Sequence, residues 1–217
     1  MRSDPLAPGP AGPGAGVGDA PVPPDVSRRA LEVAPELLGC VLWADGVGVR
    51  LVEVEAYEGA DDPASHAWRG PSGRNEVMFG EAGHLYVYQM HGHACCNIVC
   101  GPTGVASAVL VRAGEVVAGV ERARERRPGV RDAWLARGPG NLTRALGLAA
   151  ADNGAPLLGG GRVRLEAGSP PTAVGRGPRV NVSRAWERDW RFTDPSSASV
   201  SALKLHANAR TPRPAGR

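Results

Sequence analysis

From residue 26 onward the run VSRRALEVAPELLG spaces its apolar side chains as a helix does, which predicts a short helix over 26–38 with Ser27 as cap and Gly39 as stop. The period then changes. Residues 47–57, VGVRLVEVEAY, alternate, and the strand they predict carries Leu51, Glu53, Glu55 and Tyr57 on one face and Val52, Val54 and Ala56 on the other. Two acids and an aromatic ring therefore point the same way. Periodicity stops in the stretch EGADDPASHAWRGPSGRNEVMFGEAG, whose Gly, Pro, Asp and Ser content argues for a long loop. Loops of this length inside a compact domain are often functional.

Strand patterning resumes at 84–90, breaks at Gly92 and returns over 93–100, the signature of an antiparallel hairpin with His91 protruding near its tip. A further strand is expected over 106–113 and a helix over 117–127. Arg122, Arg124, Arg126 and Arg127 crowd that helix, either as phosphate contacts or as a solvated face. RGPGNLTRALG reads as a turn into a short helix that Asn141 caps, and 163–165, 180–182 and 191–193 supply shorter strand-like pieces.

Composition sets the frame for these elements. With 217 residues and 42% hydrophobic content, one core and one domain are expected. Residues 1–24 and 207–217 are rich in Pro, Gly and Ala and poor in large apolar side chains, so they are expected to be disordered tails around a domain at 25–206. No stretch of 18 apolar residues and no leader pattern is present, so the expectation is a cytoplasmic protein without membrane contact. Cys40, Cys95, Cys96 and Cys100 are too few and too clustered for a disulfide framework and read as reduced thiols. The net charge of +3 permits a polyanionic partner, and arginine carries nearly all the positive charge, Lys204 being the lone lysine.

The candidate chemistry gathers around the long loop. All three tyrosines, Tyr57, Tyr86 and Tyr88, lie in the two strands that bracket it. If the face bearing Tyr86 and Tyr88 meets the face bearing Glu55 and Tyr57, one cleft holds aromatic planes, a carboxylate and His66, a combination suited to a flat heterocycle. Glu55 is the carboxylate that would stabilise an electron-poor sugar and deprotonate water, and Glu53 is its rival, because alternation alone does not separate them. Arg112, inside an apolar strand, either pairs with a carboxylate or reaches solvent from an edge. Asn97, among apolar and cysteine residues, needs hydrogen bonds or a site to face. His91, His93, Cys95, Cys96 and Cys100 raise the question of a metal, but their spacing is not that of a finger, and no metal is expected. No phosphate-cradling glycine loop or dinucleotide fingerprint occurs, so no cofactor is implied.

The segments ELLGCVL, VEVEAYEGADDPASHAWRGPSGRNEVMFGEAGHLYVY, VLVRAGE and ARGPGNLTRALG, followed by GPRVNV and WRF, resemble the alkyladenine (3-methyladenine) DNA glycosylase family in order and spacing, over roughly 31–200. The resemblance implies a mixed α/β domain with a curved, mainly antiparallel sheet, flanking helices and a protruding hairpin that inserts into DNA. It implies an enzyme acting on double-stranded DNA that contains damaged purines, in base excision repair, without metal or cofactor; a monomer is the default expectation. Glu55 would activate water and Arg112 position it. Tyr57 and Tyr88 would sandwich a flipped base with His66 at its edge, and Asn97 would disfavour guanine. Two departures stand out. The hairpin reads YVYQMHG, so His91 takes the place of the family's aromatic intercalating wedge, and Asn181 stands where glycine is usual. Three rival readings remain open at this stage: a lesion-binding module without catalysis, a metalloprotein, and a general nucleic-acid binder using the arginine helix.

Overall fold

The computed structural model describes residues 22–90 and 92–210. The frame is a sheet of strands β1 (Val41–Ala44), β2 (Val47–Tyr57), β3 (Leu85–Met90), β4 (His93–Cys100), β5 (Ser107–Ala118), β6 (Ala136–Arg137), β7 (Val163–Glu166), β8 (Gly175–Gly177) and β9 (Arg191–Thr193). The main order is β3-β4-β5-β2-β1-β7, with β6 on β5 and the β8–β9 pair joined to β2 through β9. All these pairings are antiparallel, and the sheet curls into an open half-barrel. Helices α1 (Ala30–Glu36), α2 (Val120–Arg126) and α3 (Pro139–Leu146) accompany it. The expected mixed α/β single domain with an antiparallel sheet is what forms.

One sheet face makes the main core. Val47, Val49, Leu51, Val54, Ala56, Ile98, Val109 and Val111 pack in one cluster with Val33 of α1, Leu37 just after it, and Leu142 and Leu146 of α3. The interval between Leu51 and Val54 is three residues, which strict alternation forbids, and the register shows why. Leu51 faces Gly114 and Glu53 faces Ala113, so Val52 is an extra residue on β2; Val54 then faces Val111, so Arg112 is an extra residue on β5. Two β-bulges thus lie side by side. Bulges bend a strand and re-aim side chains. The first separates Leu51, a core residue, from Glu53 and Glu55 on the opposite face, correcting the face that alternation assigned to Leu51.

Other local expectations shift for stated reasons. Asp25 takes the amide and hydroxyl of Ser27 at 3.0 and 2.7 Å, so 25–28 form a turn and the first helix begins only at Ala30. Gly39 does end that region, with φ 91; a Cβ there would stand 2.1 Å from the carbonyl oxygen of Ser169. β5 runs on to Ala118 before Gly119, at φ 66, turns the chain into α2. α3 is preceded by Gly138 as cap, and Asn141 sits inside the helix, donating to the Arg137 carbonyl at 2.7 Å. Residues 180–181 form a turn, and the strand in that region is β8. A final helical turn, α4 (Ala207–Arg210), falls at the start of the stretch expected as a carboxyl-terminal tail. The expected tail at 1–24, up to residue 21, and residues 211–217 lie outside the described residues.

The arginines of α2, and Arg127 at its end, are engaged by neighbouring groups. Arg122 donates to the Asp45 carbonyl at 2.8 Å, and Arg126 pairs with Asp45 and reaches the Ala145 carbonyl at 2.7 Å. Arg124 bridges Glu121 and Asp132, and Arg127 holds the carbonyls of Trp134 and Leu135 at 2.8 and 2.6 Å. These contacts tie α2 to its neighbours, while Arg122 and Arg124 stay about half exposed.

Candidate active site

The sheet face opposite the main core carries Glu53, Glu55, Tyr57, Tyr86, Tyr88, Asn97, Leu110 and Arg112. The loop after β2 and the segment after β8 close over it, leaving a cavity of about 640 Å³. The loop has no strand or α-helix, only single 3-10 turns at Gly59–Asp61 and Glu76–Phe79. Asn75 holds it in shape. Its side-chain nitrogen donates to the carbonyls of His66 and Gly70 at 3.0 and 3.2 Å, while its oxygen accepts from the Ser72 amide at 2.7 Å.

That arrangement brings His66 onto the tyrosines. Its Nδ1 lies 3.3 Å from the Tyr86 hydroxyl, and its ring stands edge-on to Tyr88, with centroids 4.5 Å apart and planes at 84°. Burial, with a smaller contribution from Arg74, pulls the imidazole pKa below its ordinary value, so His66 is neutral at pH 7. Tyr88 lies 5.7 Å from Tyr86 in a roughly stacked pair. Burial pushes both hydroxyls up, and these rings stay uncharged. Asn97 donates to the Tyr86 carbonyl at 3.1 Å, which satisfies one of its donors and leaves the amide on the cavity wall.

The structure separates the two carboxylates that alternation left equivalent. Glu53 is saturated: it accepts from Arg112 at 2.9 Å, Arg191 at 2.8 Å, and the amide and hydroxyl of Ser201 at 2.6 and 2.9 Å. Burial raises its pKa, but the two guanidiniums and these hydrogen bonds outweigh that and hold the carboxyl below its ordinary range. Glu55 is as buried, with sparser contacts. Oε1 accepts the Val180 amide at 2.7 Å and lies 3.3 Å from Arg112 Nε, while Oε2 accepts the Tyr57 hydroxyl at 2.9 Å. Tyr57, Arg112 and Val180 all line the cavity, so Glu55 stands directly behind its wall. Arg112 owes its place between the acids to the bulge in β5.

One component carried no recognisable signal in the sequence. Arg179 is fully buried, donating to both oxygens of Asp62 at 2.5 and 2.8 Å and to the Ala56 carbonyl at 3.0 Å. Its guanidinium lies 4.6 Å from the centroid of the Tyr57 ring. It thus joins the loop to β2, backs the tyrosine, and fixes the chain that delivers the Val180 amide to Glu55. The next residue, Asn181, has φ 56. This left-handed conformation favours glycine and tolerates asparagine better than most residues, which accounts for the departure noted at that position.

Of the site residues expected from sequence, Tyr57, His66, Tyr88, Asn97 and Arg112 meet at this one cavity with Glu55 behind it. His91 lies outside the described residues. Its neighbour Met90, at the end of β3, is 41% exposed and also lines the cavity. The cysteines do not converge: Cys95 lies on the cavity side, whereas Cys96 and Cys100 pack into the main core. Among the described residues no group of three or more His, Cys, Asp or Glu is arranged to hold a metal ion, and no helix is long and apolar enough to cross a membrane.

Comparison with known proteins points to the same part of the chain. Residues 25–198 match the family model described as methylpurine-DNA glycosylase (MPG). A protein of Cutibacterium acnes named "putative 3-methyladenine DNA glycosylase" is 49% identical over 185 residues, covering 82% of this chain and 97% of that protein. A Nocardia farcinica protein of the same name is 50% identical over 204 residues, covering 89% and 91%. One from Mycolicibacterium fortuitum is 50% identical over 190 residues, covering 84% and 97%. With a family match spanning most of the chain and relatives near half identity, this chain belongs to the methylpurine-DNA glycosylase family.

Proposed function

We propose that this protein is a monofunctional base excision repair glycosylase that flips alkylated or deaminated purines out of duplex DNA, 3-methyladenine first among them and hypoxanthine as a further substrate. One observation carries the reading: a buried carboxylate, Glu55, is oriented through both oxygens behind an aromatic cavity of about 640 Å³, with the Arg112 guanidinium 3.3 Å away. A binding site alone has no use for such a carboxylate.

In this reading the flipped purine lies between Tyr57 and Tyr88, each base-aromatic contact contributing roughly 1–3 kcal/mol. Neutral His66 offers a hydrogen bond at the base edge, and Asn97 crowds an exocyclic amine on guanine. Glu55 accepts a proton from a water that Arg112 helps to hold, and the water oxygen bonds to C1′ of the sugar. The C1′–N bond breaks and its electron pair goes to the departing base. A cationic base such as 3-methyladenine leaves neutral after taking that pair, whereas hypoxanthine, neutral at the start, requires more from the enzyme. Flipping costs a few kcal/mol, least for bases that already pair badly, so part of the selectivity precedes the pocket.

The gap in the duplex calls for a wedge. His91 stands in the sequence where the family's aromatic wedge is expected, and the exposed apolar side chain of Met90, on the cavity wall, is proposed to share the role. The decisive experiment is release of free base from lesion-containing duplexes by the wild type and by Glu55→Gln. Lesion-dependent release that the variant loses supports the reading; lesion binding without release by the wild type would make this a recognition module.

A further inference from the structure

Beside the first cavity lies a second, of about 510 Å³, lined by Pro63, Trp68 and residues 183–188. Pro63, Ser183 and Arg184 belong to both walls, so the two spaces adjoin. The exposed indole of Trp68 has the guanidinium of Arg184 4.8 Å from its centroid and that of Arg69 at 5.7 Å. These two arginines differ from several of those in α2 and the core. Among the described residues no carboxylate pairs with Arg69 or Arg184, whereas Arg112, Arg124, Arg126 and Arg179 all have theirs. Glu187 also lines the space, which sets it apart from a plain anion trap: it offers an acceptor to base amino groups.

The wall is held in an unusual shape. Ala185 has φ 46, a region that side chains with a Cβ avoid, and its carbonyl accepts from buried Arg179 at 3.4 Å. Strain of this kind persists where the surroundings over-determine it, as around binding sites. An exposed aromatic plane, a cation on that plane with no carboxylate partner among the described residues, and a shared wall with the base cavity together define a nucleotide seat.

The geometry points to a site for the nucleotide next to the flipped one on the same strand, its base stacked on Trp68 and its phosphate taken by Arg184. This rests on the first cavity holding the flipped purine. The test is equilibrium binding to duplexes whose hypoxanthine nucleotide carries a 2′-fluoro sugar that resists hydrolysis, with each neighbouring base in turn replaced by a base-less sugar. On one side of the lesion, that replacement weakens wild-type binding by about fivefold or more. Trp68→Ala weakens binding to the intact duplex by a similar factor and becomes insensitive to the missing base, and Trp68→Phe restores the sensitivity. Arg184→Ala lowers the slope of log affinity against log salt by about 0.9.

Wild-type affinity unchanged by loss of either neighbouring base overturns the seat without reference to any variant. A Trp68→Ala protein that stays as sensitive as the wild type overturns it as well. Base release from an ordinary hypoxanthine duplex, run alongside, judges the glycosylase reading separately: its absence would count against catalysis and leave the binding result to decide the seat.

Discussion

The backbone amide of Val180 donates to Oε1 of Glu55 at 2.7 Å, joining residues 125 positions apart in the sequence. A carboxylate that accepts a fixed amide is held in orientation, as a general base requires. Glu53, two residues earlier, has the opposite fate: every strong donor around it is already engaged. The two acids differ in what surrounds them, and their mutants should differ accordingly.

Glu53→Gln should be a stability mutant. It leaves Arg191 against a neutral amide and Arg112 with Glu55 alone, and breaking a buried charge pair costs about 3–5 kcal/mol. Thermal unfolding should fall by about 10 °C. Glu55→Gln, which keeps its shape and the Val180 contact, should melt within a few degrees of the wild type. Equal melting points for Glu53→Gln and the wild type would show that Glu53 is not the structural acid.

Stability should decline with acid in two steps. His66 has a folded pKa below its ordinary 6.5 because it is buried, so the unfolded chain binds the proton first and stability falls as pH drops through 6.5 toward the folded value. Glu53 also has a lowered folded pKa, so its contribution is present above its ordinary 4.5 and is lost as pH falls further. Urea unfolding between pH 7.5 and roughly pH 2.5 measures both. His66→Asn should flatten the upper step alone and Glu53→Gln the lower; an unchanged upper slope in His66→Asn would mean the imidazole is not held neutral.

Tyr57→Ala and Tyr88→Ala should each weaken binding of lesion duplex by about 1–3 kcal/mol, roughly 5- to 150-fold. Tyr57→Phe separates stacking from orientation, since it keeps the ring and removes the hydroxyl that Glu55 accepts at 2.9 Å. It should preserve affinity and slow single-turnover release. Loss of affinity in Tyr57→Phe equal to that in Tyr57→Ala would assign the effect to the hydroxyl.

Arg179→Met should lower both stability and rate. It strands the carboxylate of Asp62 in the interior, at about 3–5 kcal/mol, and removes the support behind Tyr57. Asp62→Asn/Arg179→Met should recover part of the stability, because no uncompensated charge is left buried. A double mutant no more stable than Arg179→Met would show that the pair is uncoupled.

Much of the site was legible because its residues fall in short, patterned stretches. Alternation placed Glu55 with Tyr57, strand parity placed Tyr86 with Tyr88, and the loop's composition marked it as irregular. Residues whose placement depends on distant chain were not legible. A bulge such as that at Val52 or Arg112 is set by how two strands register, so single-strand alternation put Leu51 on the wrong face. Asp62 and Arg179 meet across 117 residues, and nothing local distinguishes that arginine from the many others. The arginines of α2 left phosphate contacts and a solvated face both open because the carboxylates and carbonyls that engage them, such as Asp45 and Ala145, lie elsewhere in the chain.

The measurement that tests the account most directly is release of free base from methylated DNA and from a hypoxanthine duplex, in single turnover, by the wild type and by Glu55→Gln. The account predicts lesion-dependent release by the wild type and a loss of about a hundredfold or more in the variant, with lesion binding retained. Full activity in Glu55→Gln would contradict it.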